Sequence, residues 1–207
     1  MSTAKKPRAT YHHGDLKRAL TDAALALVAE KGPKGFTLSE AARRAGVSLA
    51  APYRHFTDKA DLLASVAEQG FLELHQALTV AADATSDLEE RVNEMGRGYV
   101  RWAVAHPDYY QVMFGAETKD KADHPGLLLA GAQAFGNLLE VITQCVAAGL
   151  IRAADPLTIA GPMWSMIHGI AALAIGGDLK HVGIDEDPDD LVARATNDLM
   201  RGLAPTR

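Results

Sequence analysis

Apolar residues recur every three to four positions along most of this chain, and no stretch alternates apolar with polar residues for long enough to insist on a strand. The pattern predicts an all-α protein of about nine helices. The first starts near Asp15, a candidate N-cap, and carries Leu16, Leu20, Ala23, Ala24, Leu27 and Val28 on one face until Gly32 and Pro33 stop it. Thr37 and Glu40 form a capping box for the second helix, Gly46 supplies a tight turn, and Ser48 is placed to cap a third helix ending near Phe56. Asp58 opens a long fourth helix striped by Leu62, Val66, Gly70, Leu74, Ala77 and Ala81.

Beyond residue 85 the helices lengthen. Ser86 and Glu89 form a second candidate capping box, and Leu88, Val92, Met95, Tyr99, Trp102 and Ala103 line the fifth helix until His106 and Pro107 break it. A short sixth helix spans about Tyr109 to Phe114, before the polar loop Glu117 to His124. Pro125 opens the seventh, which carries Leu128, Phe135, Leu138, Ile142 and Val146 inward and ends at Gly149. Asp155 with Pro156, and Asp187 with Pro188, read as N-cap and first residue of the eighth and ninth. Pro162 inside the eighth should kink it and free the Thr158 carbonyl. The organisation expected is a flexible basic arm over residues 1–14, a compact unit over 15–75 holding a helix-turn-helix at 37–56, and a second helical unit over 76–207.

The chain has 207 residues, 48% of them apolar, and a chain of this size buries roughly 70% of its unfolded surface. No run of about 18 or more uncharged apolar residues is present, and the N-terminus lacks an apolar signal core, so a cytoplasmic protein with no membrane span is expected. The single cysteine, Cys145, excludes an intrachain disulfide and reads as a small buried apolar residue rather than a redox sensor. No Cys or His cluster has metal-ligand spacing, and no cofactor is expected. The net charge of −5 is unevenly spread: residues 1–60 hold eleven Lys and Arg against five Asp and Glu, and the remainder ten against twenty-one. A basic head on an acidic body suits a nucleic-acid binder, because phosphate attraction is local and the acidic remainder limits nonspecific association.

Segment 37–56 gives that charge a purpose. In a helix-turn-helix the first helix braces against the DNA backbone and the second presents its N-terminal side chains to base edges in the major groove. Ala41, Ala42 and Ala45 permit close crossing, and Val47, Tyr53 and Phe56 can pack the pair against Leu20, Ala24 and Phe36. Leu49, Ala50, Ala51, Arg54 and His55 are left facing out. The small tip can meet thymine methyls but lacks bidentate donors, so its own readout should be modest. Thr37, Ser48, Tyr53, His55 and Lys59 are the candidate phosphate anchors. Arg43 and Arg44, with Lys5, Lys6, Arg8, Lys17 and Arg18, add attraction, and the arm can enter the adjacent minor groove.

The run FTLSEAARRAGVSLAAPYRHFTDKADLL, with YHHGDLKRALTDAALALVAEKGPKGF upstream, resembles the DNA-binding domain of the tetracycline-repressor (TetR) family over about residues 11–75, carried by Gly46, Val47, Ser48, Tyr53, Phe56, Lys59 and Leu62. The later run MWSMIHG, with Trp164, His168 and Gly169, resembles the branch named for a Trp-His-Gly signature. The resemblance implies a double-stranded operator, a helical ligand pocket enclosed by helices four to eight, and a homodimer through the last two helices, with a palindromic operator released by a small apolar or aromatic ligand. Pro52 departs from the family, standing where many members have an aliphatic residue. It removes the first intrahelical bond of a helix capped at Ser48, so that helix should begin with a distorted turn.

Pocket candidates are the aromatic, methionine and histidine residues of the second half: Tyr99, Trp102, His106, Tyr110, Met113, Phe114, Phe135, Met163, Trp164 and His168. Trp164 and His168, four apart, are expected to be neighbours on one face, fixing each other or lining the pocket. The eighth helix (Ile159, Met163, Met166, Ile167, Ile170, Ala174) and the ninth (Leu191, Ala195, Leu199, Leu203) carry more apolar surface than a chain end needs, which suits an isologous dimer. Two other classes compete. An enzyme lacks its motifs: no HExxH, no Glu-x-x-His pair, no nucleophile elbow and no phosphate loop. A constitutive DNA-binding protein would fill the pocket with its own side chains, leaving no cavity beside Trp102, Phe135 and Trp164.

Overall fold

The computed structural model describes residues 13–116, 123–152 and 154–205. Among them lie nine α-helices and one 3-10 turn: α1 His13–Lys31, α2 Leu38–Arg44, the 3-10 turn Pro52–Arg54, α3 Lys59–Asp83, α4 Leu88–Ala105, α5 Pro107–Phe114, α6 Pro125–Ala147, α7 Pro156–Gly176, α8 Asp178–His181 and α9 Pro188–Leu203. The arm residues Lys5, Lys6 and Arg8, and Glu117 to Ala122 of the polar loop, lie outside the described residues.

Local signals set most helix ends. Thr37 Oγ1 accepts from the Glu40 N–H at 3.2 Å while the Thr37 N–H donates to Glu40 Oε2 at 2.9 Å, the reciprocal box expected at α2. Asp58, Asp155 and Asp187 each cap a helix through the side chain, and Pro125, Pro156 and Pro188 occupy first positions, where their missing N–H costs no bond. Two caps differ from expectation. α1 is already helical at His13, so Asp15 sits inside it. The α4 cap is Asp87, not Ser86: the Asp87 carboxylate accepts the Glu90 N–H at 2.9 Å, and Thr85 Oγ1 holds the Asp87 N–H. A carboxylate at a helix N-terminus adds charge to the same bond a serine would make. Residues 178–181 add a one-turn helix that no pattern announced, and α7 continues through Pro162 without a break.

α3 is the central element, packing most extensively on α6 and also on α4, α5 and α1. It therefore buries more than the single stripe its periodicity suggests: Leu63, Ala64, Ala67 and Phe71 are buried beside Leu62, Val66 and Leu74. Gly70 makes the α3–α5 approach possible, since a Cβ there would lie 2.6 Å from Met113 Sδ and 3.0 Å from Tyr109 Cδ1. The helix runs unbroken across residues 75 and 76, so the DNA-reading end and the C-terminal bundle share one rod. Cys145 is fully buried against α4, its thiol 3.9 Å from the Leu88 carbonyl and pushed up to about 11 by that burial.

α6 and α7 have the length and composition of membrane-crossing helices, α7 carrying no charged residue at all. Neither stands out in the sequence as an uninterrupted apolar run, because polar residues punctuate both. In the fold α6 packs on α3, α4 and α7, and α7 on α4, α6 and α9.

Candidate nucleic-acid interface

The α2 helix ends as its sequence dictates. Gly46 takes a φ of +70°, the left-handed conformation that costs glycine nothing, and the Val47 N–H turns back to the Ala42 carbonyl at 3.0 Å. The next segment, from Ser48 to Phe56, is not an α-helix. The Ala51 N–H bonds the Ser48 carbonyl at 2.9 Å, the Arg54 N–H bonds Ala51 at 3.2 Å, and the His55 and Phe56 N–H groups share the Pro52 carbonyl at 2.9 Å. Pro52 has no N–H to return to Ser48, so the chain closes in i to i+3 bonds as far as His55, and only the Phe56 N–H reaches four residues back. The distortion expected at the start of the third helix reaches through Arg54, and Ser48 begins a turn instead of capping a helix.

That turn sorts its side chains differently from an ideal helix. Leu49 is 48% exposed and Tyr53 62%, with Ser48, Ala50 and Arg54 exposed beside them. Ala51, expected in the outward tip, is only 8% exposed and packs inward with Pro52 and Phe56. Tyr53, expected to pack the pair of helices together, points instead to solvent; Phe56 alone of the two aromatics enters the core with Leu20, Ala24 and Phe36. His55 was also expected to face out. It is half buried, its Nε2 fully so, and it borders a groove of about 170 Å³ shared with Lys17, Asp61, Ser65, Glu68 and His124. His124, just ahead of α6, lies 3.6 Å from Asp61 at the start of α3.

Several cations of the head are engaged internally. Arg44 forms a two-bond pair with Glu30 of α1, at 2.7 and 2.6 Å, which holds the Glu30 carboxyl below its usual range. Lys31 bonds Glu40 at 2.7 Å. Lys59, a candidate phosphate anchor, directs its ammonium at the carbonyls of Lys34 and Phe36, 3.1 Å from each, and sits 5.1 Å above the Phe36 ring. It pins the start of α3 to the α1–α2 loop and keeps one donor over. Nothing in the sequence marks this long-range brace, which depends on carbonyls more than twenty residues away. Thr37 is exposed, with its hydroxyl within the capping box.

The second constellation lies in the C-terminal bundle. Phe71, Phe114, His168, Tyr110, Tyr99, Trp164 and Phe135 contact one another in a chain of rings from α3 to α6, with centroid separations of 5.4 Å for Phe71–Phe114, 4.4 Å for Phe114–His168, 5.2 Å for Tyr110–His168, 5.1 Å for Tyr99–Trp164 and 5.6 Å for Phe135–Trp164. Trp164 and His168, four apart on α7, both pack edge-on against the Tyr99 ring. His168 Nδ1 lies 2.7 Å from the Tyr110 hydroxyl and 3.0 Å from that of Tyr99, and the Tyr110 O–H also reaches the His168 carbonyl at 3.0 Å. Burial pushes Tyr110 up to about 12, raises Tyr99 further, and lowers His168, which favours the neutral imidazole. Met113 and Met163 are fully buried; His106 stacks on Trp102 at 5.0 Å with Nδ1 2.8 Å from its carbonyl, closing the end of α4. Among the described residues a slot of about 10 Å³ lies beside these rings, lined by Leu78, Met95, Tyr99, Leu138, Trp164 and Ile167. That is room for no more than about one water. Six of the pocket candidates, Tyr99, Tyr110, Phe114, Phe135, Trp164 and His168, thus come together in the ring chain, while Trp102 and His106 group with Tyr109.

Comparison with known proteins decides what these two constellations belong to. Residues 20–66 match the family model described as bacterial regulatory proteins of the tetR family, and residues 92–199 match a tetracyclin repressor-like C-terminal domain, which covers more than half of the chain. The chain belongs to the TetR family. A solved structure of a protein of unknown function from Rhodococcus sp. RHA1 is 36% identical over 96% of this chain and 100% of that one, with a TM-score of 0.83. The fatty acid degradation regulator FadR of Bacillus halodurans shares the fold at a TM-score of 0.72 and 18% identity, over 90% of this chain and 98% of its own. The HTH-type transcriptional regulator BetI of Rhizobium meliloti is 35% identical over 81 residues, 39% of this chain and 40% of BetI, so the match spans well under half of that relative. This TetR-family protein is accordingly a DNA-binding transcriptional regulator and not an enzyme. Among the described residues no group of three or more His, Cys, Asp or Glu is arranged to hold a metal ion.

Proposed function

We propose that this regulator is a homodimeric repressor that holds a palindromic operator and releases it when a small apolar or aromatic molecule enters the C-terminal bundle. The observation that carries the reading is the exposed face of the turn, Leu49, Ala50, Tyr53 and Arg54, on a head whose two bracing helices are locked by caps and ion pairs. Thr37, Ser48 and Tyr53 anchor phosphates around it, and Lys59 does so with its remaining donor. Arg43 adds charge from the end of α2.

Dimerisation uses apolar surface that a single chain leaves uncovered. On α7, Met166, Ile170 and Ala174 are half buried and Leu173 is exposed; on α9, Leu191, Ala195 and Leu199 are half buried while Val192, Thr196, Met200 and Leu203 face the chain's own core. Self-complementary packing of these rows makes a C2 pair and sets two reading turns about 34–36 Å apart, one turn of DNA. The working place is the cytoplasm, with DNA, a second copy and the effector as partners. Release follows if a ligand wedges open the ring chain and shifts α3, whose near end carries the head. Such coupling is typically about 1 to 3 kcal/mol.

The narrowness of the slot beside the rings favours one other reading, a constitutive regulator whose pocket is filled by its own rings. Operator affinity and thermal stability, followed across a panel of apolar and aromatic metabolites, separate the two. A compound that raises the melting temperature and weakens operator binding supports the effector reading. A panel that moves neither quantity at any concentration contradicts it.

A further inference from the structure

We propose that Arg54 is the specificity-determining residue of the head and takes a guanine in each operator half-site; this rests on the operator-binding function proposed above. Pro52 sets the geometry. Because the turn winds in i to i+3 bonds and buries Ala51 and Pro52, the chain presents only Leu49, Ala50, Tyr53 and Arg54, with Ser48 at its edge. Leu49 and Ala50 have no side-chain donor, and Tyr53 and Ser48 have one hydroxyl each. Arg54 alone on this face offers a planar fork of donors, the shape that matches O6 and N7 of guanine in the major groove.

The fork is available. Among the described residues the Arg54 side chain makes no hydrogen bond or ion pair, whereas Lys31 and Arg44 are held by Glu40 and Glu30 and Lys59 by two carbonyls. Those pairs fix the scaffold and reduce the positive charge around the turn, so the unengaged guanidinium on its face stands out electrostatically as well as chemically. Arg43 is also exposed, but it projects from the end of the bracing helix, the element that meets the phosphate backbone in this motif.

The test is selection of binding sites from random duplex DNA by the wild-type protein and by Arg54→Ala and Arg54→Lys, with the affinity and salt dependence of each for the wild-type operator. The expected wild-type consensus is a palindrome with one invariant G·C pair in each half. Arg54→Ala loses the preference at that pair, keeps the remainder of the consensus, and binds the wild-type operator about 5- to 150-fold more weakly with an unchanged salt slope. Arg54→Lys, a point charge without the fork, recovers affinity but not discrimination. Because the side chain is exposed, both variants should melt with the wild type. Equal weakening on every sequence, with the salt slope smaller by about one, overturns the assignment and makes Arg54 a phosphate contact. A consensus unmoved in Arg54→Ala overturns it too, while leaving the operator-binding function intact. A wild-type protein that enriches no palindrome overturns both.

Discussion

The reading head and the C-terminal bundle are joined by one helix but differ in what they bury: the head a small core of mostly aliphatic side chains, the bundle a chain of aromatic rings. Across the head, caps and exposed ion pairs such as Arg44–Glu30 and Lys31–Glu40 fix α1 and α2 over a small core, and side chains with functional groups remain at the surface. In the bundle, buried rings hold five helices together beneath surface ion pairs such as Arg101–Asp189 and Arg194–Glu186, and Tyr99 and Tyr110 bond His168 inside. Exposed pairs contribute little stability and are weakened by salt, whereas buried aromatic packing is strong and insensitive to it. The head is therefore suited to holding a shape that DNA reads, and the bundle to keeping its helices packed at any salt concentration.

The largest expected effect breaks the bundle. Tyr99→Ala empties a fully buried site between Trp164 and Tyr110 and should cost about 3–5 kcal/mol in urea unfolding. A loss under about 1 kcal/mol would mean the rings repack and the chain of rings is not a unit. Gly70→Ala comes next: its Cβ collides with the buried Met113 sulfur at the crossing of α3 and α5, and overpacking of this kind costs about 1–3 kcal/mol.

How much of this contrast the sequence discloses depends on the range of each interaction. The caps at Thr37, Asp58, Asp155 and Asp187 are legible because the bonds span two or three residues, and Pro52 announces a distorted turn because its missing N–H is a covalent fact. The direction of Tyr53 is not legible, since it depends on how far the distortion spreads. Lys59 over the Phe36 ring and the link from Trp164 through Tyr99 to His168 are hidden for a stronger reason: their partners are distant in sequence and meet only through helix packing. The aromatic content of the second half marks the right residues but leaves open whether they surround a space or occupy it.

Smaller effects sharpen the comparison. Thr37→Ala removes one half of the capping box and should cost about 1 kcal/mol, with a larger proportional effect on DNA affinity than on the stability of the bundle. Protonation probes the buried cluster. Burial lowers the folded-state pKa of His168, so the unfolded chain takes up that proton first; the contribution to stability is complete above the unfolded value of about 6.5 and declines as pH falls below it toward the folded value. Melting temperature measured from pH 8 to 5 should therefore drop on the acid side, and His168→Asn should flatten that part of the profile. Smallest of all is Glu30→Gln, which should leave the melting temperature near wild type. It frees Arg44, so the salt dependence of DNA binding should steepen.

Whether two copies of this head read DNA as a symmetric pair is tested most directly by hydroxyl-radical footprinting on a selected operator at known protein stoichiometry. A symmetric pair gives two chains per duplex and two short protected patches on one face of the DNA, related by a dyad and about one helical turn apart. A single patch bound by one chain, or continuous protection that spreads with added protein, would contradict it.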